Sequence, residues 1–334
     1  LTTRPRIVIN AAGPWIDRVN ALLGEDTQFI GGTKGAHILL DHPALLAELD
    51  GRMLYFEADD GRILLAYPYH GKVLVGTSDI PDDDPDTAAC TEAEVQYFMD
   101  SLRDLLPGLD VTPDQIVFSY AGIRPLPRSD AARPGLISRD HSIPDLPATE
   151  TRPFPILSLV GGKWTTFRGF AEEAADEVLN RLGTARTVST VERPIGGGKG
   201  MPHSPDMRAR WLRATAQAVG VSEDRLAELL DRYGTTARAV AMAEGASRDT
   251  ARIAGTTGYS PSEIDWIARN EQVVHLDDIL LRRTQIAISG QLTRAGLDQV
   301  AGIAANALGW DATRQAQEVD SSLRILATRH GLDL

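Results

Sequence analysis

The sequence has a single cysteine, Cys90, in 334 residues. A disulfide within one chain and a cysteine-built metal site are therefore excluded, and no metal is expected. It has no stretch approaching the ~20 apolar residues that a membrane-spanning helix needs. It also lacks a surplus of positive charge. Its 34 Lys and Arg stand against 46 Asp and Glu, for a net charge of -12. That argues against a nucleic acid held by a general basic surface, and it leaves room for a local basic pocket. No signal peptide is expected. The chain opens at Leu1, and Arg6-Ile-Val-Ile-Asn10 already reads as a strand, so a piece of a longer protein is expected. No internal repeat is visible. What remains is 43% hydrophobic and 24% charged, the balance of a soluble protein of about two domains.

The most informative stretch is Ile156-Leu-Ser-Leu-Val-Gly-Gly-Lys-Trp-Thr-Thr-Phe-Arg168. Residues 156–160 read as a buried strand, and 164–182 carry apolar residues at helical spacing. Strand, Gly-Gly, helix is a layout that points backbone N–H groups and the positive end of a helix dipole at a ligand. Gly161 and Gly162 would let a flat ring or an anion approach the main chain, with Lys163 and Arg168 adding positive charge and Thr165 and Thr166 offering an N-cap. A tight turn with glycines kept for packing is the plainer alternative.

Ile7 to Ile9 form a short strand, followed by Asn10-Ala-Ala-Gly-Pro-Trp15 and a helix through Leu23, a βα unit whose turn faces a ligand or is only a turn. Lys34 and His37 lie on the next strand, where a satisfied core histidine is the commoner outcome. Residues 53–56, 63–67 and 72–76 read as an antiparallel meander, with Asp60-Gly61 the strong hairpin signal and His70-Gly71 the second turn. It would form the floor of a substrate site or a purely structural sheet. Asp82, Asp83, Asp84 and Asp86 follow in a loop that reads as solvated, since Pro81 and Pro85 break the spacing of a calcium loop. Thr91 and Glu94 make a capping box for a helix to about Leu106. Residues 115–126 read as a strand ending in Arg124-Pro125, and Ser138-Arg-Asp-His141 is a further polar cluster. The Gly196–Gly200 loop has no Lys-Ser or Lys-Thr pair opening a helix behind it, which argues against a phosphate loop. From Asp206 onward the periodicity is helical, with Pro261 marking one helix start and 276–288 a further helix.

In order along the chain, Asn10-Ala-Ala-Gly-Pro-Trp15, Lys34-Gly-Ala-His37, Asp59-Asp-Gly-Arg62, Gly76-Thr-Ser-Asp79, Tyr120-Ala-Gly-Ile-Arg-Pro125, Ser138-Arg-Asp140 and Gly161-Gly-Lys-Trp-Thr-Thr-Phe-Arg168 resemble the FAD-dependent glycerol-3-phosphate dehydrogenases. Arg232-Tyr-Gly-Thr235, the Asp277 to Thr284 stretch and Leu308-Gly-Trp-Asp311 resemble that family's C-terminal helical domain. The resemblance implies an α/β fold of the FAD/NAD(P)-binding, D-amino-acid-oxidase-like type with an inserted antiparallel sheet, followed by an all-α domain. The division expected is 1–190 for the partial FAD- and substrate-binding α/β domain and 191–334 for the all-α C-terminal domain. The family's opening Gly-x-Gly-x-x-Gly turn has no counterpart here, which implies weak FAD binding by this stretch alone. Trp164, Phe167 and Ser78 depart from the family's usual residues.

The implied reaction is oxidation of sn-glycerol 3-phosphate to dihydroxyacetone phosphate, with hydride to the flavin and electrons on to quinone. The resemblance implies Arg124, Arg139 and Lys163 as substrate ligands, and His37, Arg124 and Lys163 as the catalytic group, His37 being the base with an ordinary pKa of ~6.5. It implies Gly13, Trp15, Gly161, Gly162, Lys163, Trp164 and Thr165 around FAD. The location implied is cytoplasmic with a peripheral membrane contact, and a homodimer is a further expectation. Two alternatives stand beside this: a related oxidase passing electrons to oxygen, with glycerol 3-phosphate or an amino acid or amine as substrate, and a silent fragment serving as an interaction module.

Overall fold

A computed structural model describes residues 3–129, 137–161, 163–247 and 251–334. The chain divides into two compact units, Leu1–Glu192 and Arg193–Leu334.

In the first unit, β1 (Val8–Asn10) leads through a 3₁₀ turn at Gly13–Trp15 into α1 (Ile16–Leu22). Next come β2 (Thr33–Leu40), α2 (Pro43–Leu49), β3 (Leu54–Glu57), β4 (Ile63–Tyr69), β5 (Lys72–Gly76) and β6 (Ile80–Pro81). Helix α3 (Glu92–Leu105) begins at the expected capping box: Thr91 Oγ1 accepts from the Glu94 N–H, and Glu94 accepts from the Thr91 N–H. Strand β7 (Ile116–Arg124), then β8 (Asp145–Leu146), β9 (Ile156–Ser158) and α4 (Phe167–Arg181) complete the unit.

The strands form two sheets. One is small, with order β1-β9-β8 and β1 parallel to β9. The other is antiparallel, β3-β4-β5-β2-β6, with β7 paired along the whole of β2. The meander's two turns reverse the expected ranking. His70 and Gly71 both have positive φ (49° and 74°), as a two-residue I′ hairpin requires. Asp60-Gly61 instead sits in a longer loop, where the Asp60 carboxylate accepts from the Arg62 N–H at 3.0 Å.

Alternation gives the large sheet one greasy face. Ala36, Ile38 and Leu40 of β2, Leu64 and Ala66 of β4, and Val73 and Val75 of β5 point one way and pack with Phe98, Met99 and Leu102 of α3 and Leu45 and Leu49 of α2. The residues between them in sequence belong to the opposite face. The Asp-rich loop is solvent-exposed at Asp83 and Asp86, as expected, and is also tethered: Arg18 pairs with Asp84 and Asp86, and Trp15 Nε1 donates to Asp86 at 2.8 Å.

The second unit is helical, with α5 (Pro205–Val219), α6 (Glu223–Tyr233), α7 (Ala237–Ser247), α8 (Pro261–Asn270), α9 (Arg294–Leu308) and α10 (Ala312–His330). The helix expected over 276–288 is shorter. Its Asp278–Arg283 stretch is π-wound and stops where Thr284 turns extended and its hydroxyl bonds the Ile279 carbonyl at 2.7 Å. A β-branched residue that satisfies an orphan carbonyl with its own side chain ends a helix in this way. Among the described residues no helix is long and apolar enough to cross a membrane.

Buried charge holds α6, α7 and α8 together. Arg225 reaches Glu244 at 2.9 Å and Glu263 at 2.6 Å, and Arg232 and Tyr233 also donate to Glu263, which is 0% exposed. Removing Glu263 takes one carboxylate from Arg225, which keeps Glu244, and leaves Arg232 only the Thr257 carbonyl to donate to among the described residues. Glu263→Ala is expected to cost about 3–5 kcal/mol, read as a lower denaturant midpoint; a loss under about 1 kcal/mol would show that the ion cluster does not hold the unit together.

Candidate active site

The open face of the large sheet carries Thr33, Gly35 and His37 on β2, opposite Arg124, Gly122 and Tyr120 on β7. Gly76 of β5 lies opposite His37 from the other side. The glycines make room for the charged side chains. A Cβ on Gly35 would come within 2.2 Å of Arg124 Nη2, and one on Gly76 within 2.2 Å of the His37 ring. Neither glycine is exchangeable without moving its neighbour.

Arg124 is pinned by the loop that follows β5. Its Nη1 donates to Asp79 Oδ1 at 3.0 Å, and its Nη2 to Thr77 Oγ1 at 2.8 Å and the Ser78 carbonyl at 3.0 Å. That loop is fixed in turn from the helix side, because Ser78 Oγ donates to Glu94 at 2.6 Å and accepts from the Ala36 N–H at 2.8 Å. Burial lowers the Arg124 pKa, Asp79 opposes the shift, and the charge of Arg139 lowers it further. The charge of the exposed Arg139 thus reaches Arg124, whose own carboxylate partner is Asp79.

His37 stacks on Tyr120, ring centroids 4.9 Å apart and planes 8° from parallel. Burial, and then the Arg124 charge, lowers its pKa to about 4. The ordinary value expected from sequence is thus corrected: His37 is neutral at physiological pH. Among the described residues, His37 Nδ1 and Thr33 Oγ1 are buried polar atoms with no hydrogen-bond partner. Both belong to this face of β2, and unpaired buried polar atoms are rare enough to mark a place where something else binds.

The residues expected around a flavin collect at the end of the small sheet. Since β1 and β9 run parallel, the Gly13–Trp15 turn and the Trp164–Thr166 turn follow the strands at the same edge, their carboxyl ends. A buried polar network locks the two strands: Asn10 Nδ2 donates to Asn20 Oδ1 at 2.7 Å, and Asn20 Nδ2 to Ser158 Oγ at 3.1 Å. The Gly13–Trp15 turn also lies alongside β7. Gly13 has φ +59° and, among the described residues, open space where a Cβ would stand.

Other expectations change in detail. Gly161 has a packing reason to be glycine, since a Cβ there would sit 2.8 Å from that of His141. Gly162 lies outside the described residues. Lys163 is half-exposed and paired to Asp140 at 2.9 Å. Neither Thr165 nor Thr166 caps the helix by its side chain. The first turn is 3₁₀, and the Thr166 hydroxyl donates to the Lys163 carbonyl at 3.1 Å. Trp164 is 87% exposed and Phe167 51%, an aromatic pair standing free at the mouth of the turn. An open glycine and exposed rings around the carboxyl ends of two parallel strands fit the flat ring of FAD. Gly13, Trp15, Gly161, Lys163, Trp164 and Thr165 would line it.

Comparisons with known proteins bear on both halves. Residues 2–147 match the family model described as FAD dependent oxidoreductase, and residues 188–315 that described as the C-terminal domain of alpha-glycerophosphate oxidase. A glycerol-3-phosphate dehydrogenase of Synechocystis sp. is 32% identical over 84% of this chain and 51% of its own. The chain belongs to the FAD-dependent glycerol-3-phosphate dehydrogenase family. An aerobic glycerol-3-phosphate dehydrogenase of Staphylococcus aureus is 28% identical over 85% of the chain and 50% of its own. The chain thus spans about half the length of the curated relatives it matches. In fold it resembles the glycerol-3-phosphate dehydrogenase of Bacillus halodurans complexed with FAD, with a TM-score of 0.75 and 23% identity over 96% of this chain and 62% of that one. The α/β fold with an inserted sheet and a C-terminal helical domain is the family's fold.

The sequence reading missed Thr77, Asp79 and Gly35 as the parts that hold Arg124, and Tyr120 as the platform under His37. The one signal available was small residues at alternate positions of β2 and β7.

The His37 shift has a pH consequence. The unfolded chain takes up a proton near pH ~6.5, and the folded chain only near pH 4. Between those values the unfolded state binds more protons, so stability falls as pH is lowered through that window. His37→Gln should flatten this fall, and an NMR titration of the native protein should show His37 neutral at pH 6. A His37 resonance titrating near 6.5 would contradict the buried, cation-flanked placement.

Proposed function

We propose that this chain forms the substrate site, and the surroundings of the flavin ring, of an FAD-dependent enzyme oxidising sn-glycerol 3-phosphate to dihydroxyacetone phosphate. The observation that carries this reading is the pair Arg124 and Arg139 beside two unpaired buried polar atoms on a glycine-bared sheet face. Two guanidinium groups close enough for one to shift the other suit a phosphate dianion, because guanidinium groups bind phosphate oxygens in pairs. Lys163, turned to Asp140, is a third substrate ligand once that exposed ion pair yields.

Oxidation at C2 removes a hydride from carbon and a proton from its hydroxyl. FAD, when bound, supplies the hydride acceptor. His37 takes the hydroxyl proton. It is neutral, and its Nδ1 has no partner among the described residues. A pKa of about 4 is low for a base, and part of that depression comes from Arg124. A phosphate dianion on Arg124 and Arg139 offsets their charge and raises His37 basicity only when substrate is present. Arg124, adjacent to His37, stabilises the developing oxyanion. Tyr120, its phenol pushed up to about 12 by burial and then Tyr67, stays neutral and holds the imidazole plane. Electrons then pass to quinone, at the cytoplasmic membrane surface. A second acceptor, oxygen, is supported by the oxidase named in the helical-domain match, and quinone reduction against peroxide release separates the two.

Arg124→Ala and Arg139→Ala should each raise the KM for glycerol 3-phosphate about 10- to 100-fold, the value of one charge-assisted phosphate contact. Lys163→Ala should cost less, since its charge is half-solvated. Steady-state kinetics with unchanged KM in both arginine variants would remove the phosphate assignment.

A further inference from the structure

Arg139 is the substrate cation with the least regular support, since it belongs to a loop and not to a strand. The neighbouring segment 138–142 is fastened to the β9 side at several points. Ser142 exchanges both backbone hydrogen bonds with Val160, at 2.8 and 3.0 Å. Asp140 accepts from Lys163 at 2.9 Å, and its N–H donates to Ser138 Oγ at 3.2 Å. Between these, the His141 ring stacks on Phe170 of α4 with centroids 4.3 Å apart, and its Nε2 lies 2.9 Å from Glu173 Oε2. Gly161 admits the loop's close approach, as a Cβ there would meet His141 at 2.8 Å.

The backbone pairing with Val160 holds Ser142, and before it the Asp140 N–H bonds within the loop, to Ser138. The Asp140–Lys163 pair is exposed and weak on its own. The His141 side chain is the better anchor, with its ring face on Phe170 and its edge on a carboxylate. With residue 141 fixed, the preceding residues are held within reach of Arg124, where the charge of Arg139 is felt.

We propose that His141, seated on Phe170 and oriented by Glu173, is a positioning residue that sets where the Arg139 guanidinium meets the substrate phosphate. The inference rests on the reading of Arg139 as a phosphate ligand. The side-chain contacts of His141 are to Phe170 and Glu173, so its action on Arg139 runs through the loop. Geometry of this kind decides how much of a charge-assisted contact is realised, because such contacts weaken steeply when misaligned.

The test is calorimetric titration of glycerol 3-phosphate into the protein, its His141→Ala, His141→Phe and Glu173→Ala variants, and the His141→Ala variant combined with Arg139→Ala. His141→Ala should weaken binding roughly tenfold, a fraction of the whole Arg139 contact. His141→Phe, which keeps the stack, should recover part of the loss. Glu173→Ala, a change at an exposed helix position that leaves folding intact, should weaken binding about threefold. In the Arg139→Ala background, His141→Ala should change nothing further, which a purely structural role would not produce. Equal binding by His141→Ala and the parent, or a loss of the same size with and without Arg139, overturns the proposal. Failure of the phosphate reading looks different: Arg139→Ala then binds as the parent does whatever residue 141 is, or the parent does not bind at all, and both claims fall together.

Discussion

Alternation along Thr33–Leu40 is the constraint from which the site follows. Ala36, Ile38 and Leu40 must face α2 and α3 to build the core, so Gly35 and His37 must face away. The partner strands obey the same rule, which brings Tyr120, Gly122, Arg124 and Gly76 to the same side. A shift of register by one residue would send His37 into the core and Ile38 into the site. The large hydrophobic area buried on one face therefore enforces the polar geometry of the other.

The electrostatics of that face are unbalanced by design of the fold. Arg124 pairs with Asp79 and feels the charge of Arg139, burial and then Arg124 lower the His37 pKa, and Thr33 and His37 each hold an unpaired polar atom among the described residues. An isolated protein gains nothing from this arrangement, since two like charges in a partly buried place repel. The phosphate dianion proposed as its ligand would reverse the sign of that balance. The rigidity of the Thr77, Ser78 and Asp79 loop keeps Arg124 from relaxing toward solvent in the meantime.

Much of the fold was legible because its signals are local. The capping box at Thr91 and Glu94, the meander strands and the start of α8 at Pro261 each depend on a few adjacent residues. Arg124, the proposed substrate ligand, was picked out through the family motif. What held it there was not, since Asp79 and Gly35 reach Arg124 through strand pairings that no local pattern encodes. The early end of the 276–288 helix turned on one Thr284 hydroxyl, and periodicity is blind to that. The same holds for His37, whose low pKa comes from burial and a cation 87 positions away in sequence, the interval from 37 to 124. For Gly161 the plainer of the two readings, a glycine kept for packing, has a cause in the close approach of His141.

The central claim is that the bare sheet face and the paired turns at the end of the small sheet work on one molecule of glycerol 3-phosphate. Anaerobic addition of sn-glycerol 3-phosphate to the FAD-loaded protein, with flavin absorbance followed at ~450 nm, tests it most directly. The account predicts rapid bleaching with glycerol 3-phosphate, none with glycerol, and loss of bleaching at the same substrate concentration in Arg124→Ala. Bleaching by glycerol as readily as by its phosphate, or bleaching untouched by loss of Arg124, would contradict it.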